Sequence, residues 1–299
     1  MDINTLLDKY PRNLRDTIFK EIMHYEILES LFNIGDIQKT LVFQGGTALR
    51  LCYNNDRYSE DLDFVINKEQ TFDKDFMLYF KAMFEEKIIQ KYNLEVEITE
   101  PKKDDFIVQR WSAKVYLPSN HKKSKINIEI ANVSSHSNHF QAINNNYQEL
   151  MNKRIFVQVE TLEEILADKI LALAQRPYIK YRDLWDIEWL KNKNIQTNYD
   201  LVVLKIQDYK SENFIENLKK REIELDNPQL EHDFLNEMSR FLDENYFFKI
   251  RDIQFFKSIQ IQVKKEIENV LEHLEKTQNS LDDNRDSKQI ENTIKRRLK

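Results

Sequence analysis

The chain has 299 residues, 41% hydrophobic and 32% charged, with a formal net charge of −6 at pH 7. That is enough apolar material for one large or two ordinary domains with a real core, and the acidic balance excludes a surface attractive to nucleic acid everywhere, so a nucleic-acid substrate would need a local basic patch. No apolar run approaches the roughly 18 residues of a membrane helix, the N-terminus lacks a basic-then-apolar secretion signal, and the lone Cys52 excludes an intramolecular disulfide; a soluble, cytoplasmic protein with no membrane partner is expected.

In chain order, Leu14 to Phe32 has helical spacing, Leu41 to Gln44 reads as a short buried strand, and Gly46 to Tyr53 opens a helix. Leu62 to Ile66 is a strand, Phe72 to Tyr92 a helix, and Leu94 to Ile98, Phe106 to Tyr116 and Lys125 to Val133 are strands by alternation. His136 and His139, in a Ser/Asn-rich segment, read as a loop rather than as metal ligands. From Thr161 the pattern turns helical, with segments near 161–175, 180–192, 198–220 and 230–276. A polar junction at Asn192 to Tyr199 predicts two units, 1–195 and 196–299, the second a helical bundle whose spacing shows in Phe234, Met238, Phe241 and Leu242. The tail after Thr277 is polar enough to fray. The runs His121-Lys-Lys-Ser-Lys125 and Lys295-Arg-Arg-Leu-Lys299 suit solvated surface or a local basic patch. Tyr246-Phe-Phe-Lys-Ile-Arg251 suits either a helical core or a stacking surface for RNA.

Only three glycines occur, and Gly45 and Gly46 fall together in Phe43-Gln-Gly-Gly-Thr-Ala-Leu-Arg50. A backbone that must approach a phosphate closely needs residues without Cβ. In Asp61-Leu-Asp-Phe-Val-Ile66, alternation turns Leu62, Phe64 and Ile66 toward a core and leaves Asp61 and Asp63 on the open face, where they can hold Mg²⁺. Lys125-Ile-Asn-Ile-Glu-Ile130 repeats the logic, with Glu129 and Asn127 opposite three isoleucines. Either Glu129 is an exposed edge glutamate or this strand lies beside Asp61 and Asp63. In the second case three acids converge and repel, and two Mg²⁺ ions about 3.5 to 4 Å apart are the natural occupants.

Leu162, Leu166, Lys169 and Leu173 fall at i, i+4, i+7 and i+11, which sets the Lys169 ammonium inside an apolar stripe. It must snorkel out or meet an anion, which a bound triphosphate would supply. In Lys180-Tyr-Arg-Asp-Leu-Trp-Asp-Ile187, Arg182, Asp183 and Asp186 share a helical face, as an intrahelical pairing set or as part of the same pocket. Arg176 and Lys180 are either solvated or further positive charge for phosphates.

The ordered set Gly45-Gly46-Thr47, Ser59 with Asp61-x-Asp63, Glu129, Lys169 and Arg182-Asp183-x-x-Asp186 resembles the AbiEii/AbiGii toxin family of nucleotidyltransferases, within the DNA polymerase β-like superfamily, over residues 40–190. The resemblance implies an α+β fold, a nucleotidyltransferase mixed β-sheet flanked by helices and followed by a C-terminal helical bundle. It implies transfer of a nucleoside monophosphate from an NTP to an acceptor hydroxyl, with release of pyrophosphate, on two Mg²⁺ ions or on Mn²⁺ in their place. It makes Asp61, Asp63 and Glu129 metal ligands and, with Lys169 and Asp186, the catalytic set. Gly45, Gly46, Thr47, Ser59, Lys169 and Arg182 become the nucleotide-binding set. Glu129 departs from the aspartate common at its position. Such proteins are toxins of bacterial toxin–antitoxin pairs, so a separate antitoxin is an expected partner and RNA, as tRNA, an expected acceptor, with a protein or small-molecule acceptor as the alternative. A non-catalytic descendant that keeps the fold to bind RNA or protein is the competing reading.

Overall fold

The computed structural model describes residues 2–68, 70–72, 75–101, 107–117, 123–150 and 152–297. Phe106 of the expected strand Phe106 to Tyr116, His121 and Lys122 of the first basic run, and Leu298 and Lys299 of the second lie outside the described residues. Helices α1 (Ile3–Leu7), α2 (Arg15–Phe32) and α3 (Ile37–Thr40) precede β1 (Leu41–Gln44). There follow α4 (Gly45–Tyr53), β2 (Leu62–Asn67), α5 (Asp75–Tyr92), β3 (Glu95–Thr99), β4 (Val108–Tyr116), β5 (Lys123–Ser135), β6 (Asn138–Ala142) and β7 (Phe156–Glu160). The remainder is helical: α6 (Leu162–Gln175), α7 (Tyr181–Asn192), α8 (Tyr199–Asp208), α9 (Phe214–Glu224), α10 (Leu230–Met238), α11 (Glu244–Ile250) and α12 (Ile253–Arg297).

The seven strands form one mixed sheet in the order β3-β4-β5-β2-β1-β7-β6. β2 runs parallel to β5 and β1 parallel to β7, while the other pairs are antiparallel. The expected α+β class with helices flanking a mixed sheet is what is found. Strand alternation sends Leu62, Phe64, Ile126, Ile128 and Ile130 into the core, as the spacing predicted.

Four departures have local causes. The segment around His139 is not a loop but β6, paired antiparallel with β7 at the sheet edge; none of its five residues is buried, so no apolar alternation marks it. The helix expected over 198–220 is two, α8 and α9, because Lys210 and Asn213 take positive φ between them. The run 230–276 is divided among three helices. Asp243 accepts a hydrogen bond from the Tyr246 amide and so starts α11 afresh. Conversely, α12 continues to Arg297 where fraying was expected, since a stretch free of Gly and Pro keeps ordinary helix propensity.

Helix α2 is enclosed on nearly every side, which forces its polar residues to find partners. Glu26 is fully buried and takes the ammonium groups of Lys87, Lys91 and Lys153 at 2.9, 2.7 and 2.9 Å and the Tyr92 hydroxyl at 2.6 Å. The C-terminal helices pack on α6 and α7 through a cluster continuous with the main core. In the Tyr246–Arg251 segment, Tyr246 stacks edge-on against Trp185 and Ile250 is buried, whereas Phe248 stands exposed. Among the described residues no helix is long and apolar enough to cross a membrane.

Burial pushes the Glu26 carboxyl up, but Lys87 and Lys153 with Lys91 and Tyr92 outweigh it and hold the group down to about 2. A carboxylate depressed in the folded state adds stability above its ordinary 4.5, and that contribution fades as pH falls toward 2. Glu26→Gln is therefore expected to lose about 3 kcal/mol at pH 7. Urea melts across pH should show the gap to the native protein closing in that acid window; a gap independent of pH would refute the pairing.

Candidate active site

β1 ends at Gln44, which lies opposite Asp63 in the antiparallel pair. The chain then turns into α4 through Gly45, at φ +78°, a conformation that favours glycine. A Cβ at Gly45 would stand 2.7 Å from Asp63 Oδ2. One at Gly46 would meet the Arg57 guanidinium and lie 3.0 Å from Ser59 Oγ. Both glycines are thus required by the close approach of the chain's own polar side chains. Thr47, buried, donates its hydroxyl to the Asp61 carbonyl and ties the start of α4 to the start of β2.

The parallel register of β2 and β5 sets Asp63 opposite Glu129. Asp61 Oδ1 accepts from the Asn127 side-chain amide at 2.9 Å and its backbone amide at 3.3 Å. Glu129 Oε1 lies 3.5 Å from Arg110 Nε. Burial, followed by Asp61 and Glu129, pushes the Asp63 carboxyl up to about 7. The three acids expected to converge border one recess. Among the described residues, however, no three His, Cys, Asp or Glu side chains close into a ready metal cage. In donor chemistry the set fits a hard divalent cation, which takes oxygen ligands and would relieve the repulsion felt by Asp63.

Facing the acids is a cationic wall from α6, α7 and the segment between them. Lys169 is buried, as its place in the apolar stripe required, and it does not snorkel: Asp183 Oδ1 lies 3.0 Å and Asp186 Oδ2 2.8 Å from its ammonium. Arg176 also pairs with Asp183. Arg182 bonds Glu237 at 3.1 Å and lies over the Phe241 ring at 4.4 Å. Lys180 has no ion-pair partner among the described residues, and burial together with Arg176 and Arg182 pushes its ammonium pKa down. Gly46, Ser59, Asp61, Asp63, Glu129, Lys169 and Arg182 border one polar recess.

Of the expected site residues, Gly45 and Thr47 do not border this recess, and neither does Asp186. It is wholly buried behind Lys169, where Arg57 grips it through two bonds of 2.7 and 2.5 Å and Asn55 adds a third at 3.1 Å. Burial raises its pKa, but Arg57 and Lys169 win and hold it to about 2. Sequence reasoning missed Arg57, which lies in an irregular segment with no periodicity to betray it. It also missed Lys205, fully buried between Glu160, Glu164 and Asp168 at 2.9, 2.8 and 3.1 Å. That one had a signal, since Lys205 shares a helical stripe with Leu201 and Val202 as Lys169 does with its leucines.

A solved Helicobacter pylori structure, described provisionally as a nucleotidyltransferase, is 20% identical, covers 87% of this chain and 97% of its own, and superposes with a TM-score of 0.50. The H. pylori protein JHP933 is likewise 20% identical over 89% of this chain and 96% of its own, at 0.48. The first likeness shows that this chain shares the fold of that protein. Residues 26–282 match the family described as the nucleotidyl transferase AbiEii toxin of type IV toxin–antitoxin systems, and the chain belongs to that family. No curated protein matches the sequence.

Removing the Asp186 charge strands a buried guanidinium. Asp186→Asn is expected to cost about 3 to 5 kcal/mol of stability. Denaturant unfolding measures it, and a variant as stable as the native protein would show that the Arg57 pair does not hold the site together.

Proposed function

We propose that the protein moves a nucleoside monophosphate from an NTP to an acceptor hydroxyl and releases pyrophosphate, as the toxin of a toxin–antitoxin pair. The observation that carries this reading is the β2–β5 register, which sets Asp63 beside Glu129 directly against the Gly45 turn. Residues 1–195 form the catalytic unit on this reading and 196–299 the helical unit that braces it. The chain works in the cytoplasm beside a separate antitoxin. The acceptor is RNA, with tRNA favoured by the family resemblance.

Asp61, Asp63 and Glu129 would hold two Mg²⁺ ions, or Mn²⁺, which lower the pKa of an acceptor hydroxyl and offset charge on the triphosphate. Gly45, Gly46 and Thr47 let the first turn of α4 present its free amides to phosphate oxygens, with Ser59 beside them. Lys169, Arg176, Lys180 and Arg182 stand across from the acids, where charge builds on the leaving group. The acceptor oxygen bonds to the α-phosphorus while the bond from that phosphorus to the α–β bridging oxygen breaks. Pyrophosphate leaves with the electron pair, and the hydroxyl proton passes to water. Asp186 and Asp183 position Lys169.

Burial and two neighbouring acids disfavour charge on Asp63, so Asp63→Asn should melt no lower than the native protein in the presence of chelator. Its turnover should nevertheless fall by about 100-fold or more. Labelled NTPs, Mg²⁺ and purified protein are to be incubated with total RNA, a protein extract and small hydroxyl compounds; transfer of label to RNA is expected. Label in no fraction, or native turnover from Asp63→Asn, would sink the assignment.

A further inference from the structure

A second recess meets the polar one at the paired strands, and it differs in kind. Asp63, Glu129, Lys169 and Arg176 border both. On one side lie Arg57, Lys180 and Arg182. On the other, a cavity of about 240 Å³ runs between the sheet and α6 with no further cation on its walls. Val108 and Ala131 line it from the strands, Leu171 and Ala172 from α6, and Tyr209 from the end of α8.

The apolar floor follows from alternation. Val65 lies two residues beyond Asp63, Ala131 and Val133 two and four beyond Glu129, and Val42 two before Gln44. The sheet face that carries the acids therefore continues as a patch of small apolar side chains, with Val108 and Tyr209 packed against it. Small residues at 131 and 172 leave the space open where larger ones would fill it. Gln44 and Gln175 bring amide groups to its edge, each able to donate and to accept.

Anions are poorly served here. Asp168 lines the cavity, shares the one Lys205 ammonium with Glu160 and Glu164 and leaves both its oxygens without a hydrogen-bond partner among the described residues, and no cation stands beyond the border residues. The cavity asks for an uncharged group with apolar faces and a polar rim. A nucleotide has two such ends, a polyanionic tail and a neutral planar ring, and with the ring in this lobe the border residues would face its phosphate end.

The geometry points to this second lobe as a nucleobase slot, which holds the ring of a nucleotide whose reacting phosphate or hydroxyl sits at Asp63 and Glu129. The inference rests on the nucleotidyltransferase reading and adds the place where that enzyme reads a base. The ring belongs either to the donor NTP or to the terminal nucleoside of the acceptor, and one experiment separates the two.

Ala172→Phe fills the lobe from α6 and Val108→Phe fills it from β4; Ala172→Ser is the control. Calorimetry with Mg²⁺ measures binding of each NTP and of inorganic tripolyphosphate, and transfer assays give KM for RNA. Both filling variants should bind tripolyphosphate as the native protein does. If the donor base occupies the slot, their NTP affinity falls at least tenfold; if the acceptor base does, NTP affinity holds and KM for RNA rises at least tenfold. NTP affinity and RNA KM both within twofold of native in both variants would overturn the slot, as would loss of tripolyphosphate binding in step with NTP. A native protein that binds neither NTP nor tripolyphosphate would remove the transferase reading itself, and the slot with it.

Discussion

Asp186 has no contact with water, yet two cations from distant parts of the chain converge on it: Arg57 from the segment ahead of β2 and Lys169 from α6. Stripping water from three charges costs several kcal/mol per ion, and only complete pairing repays it. Here the pairing is complete, because Asn55 bonds Asp186 with its amide and accepts the Trp185 indole with its carbonyl. Sliding the glycine turn relative to α6 and α7 would leave a charge uncompensated in the core. The network therefore fixes the distance between the two halves of the site, and every other geometric relation there depends on it.

Around that fixed distance the site is built as two opposed charge layers. Strands β2 and β5 carry the acids, while α6, α7 and their connection carry the cations. Asp63 in the acidic layer and Lys180 in the cationic one are each pushed toward neutrality by burial and like charges. A polyanion with its counter-cations would relieve both, which gives the arrangement its chemical direction. The C-terminal helices contribute by bracing the cationic layer: Glu237 of α10 holds Arg182, Phe241 lies under the same guanidinium, and Tyr246 of α11 packs on Trp185.

Much of this was readable from residue order, where periodicity and chemistry coincide. Alternation placed Asp61, Asp63 and Glu129 opposite core residues, and the apolar stripe marked Lys169 as a cation in need of an anion. The expectation stopped short of naming that anion, since Asp183 and Asp186 could as well have paired within their own helix. Arg57 was invisible because nothing in Asn54-Asn-Asp-Arg57 repeats, and β6 because none of its residues is buried to give it an apolar face. The same limit hid the breaks in the C-terminal helices, which depend on single residues, a positive φ at Asn213 and a capping Asp243, rather than on a run.

The sequence by itself determined which faces of its strands and helices are buried, and hence which ionisable groups were left on the wrong face for ordinary folding. Short-range sterics and hydrophobic periodicity are local, so they can be read locally. Only the tertiary structure decided which charges meet. The register of β2 on β5, the grip of Arg57 on Asp186 and the hollow beside Ala131 and Ala172 arise from contacts between segments tens to more than a hundred residues apart. Pairing across such distances is set by the packing of whole elements, which no window of the chain contains.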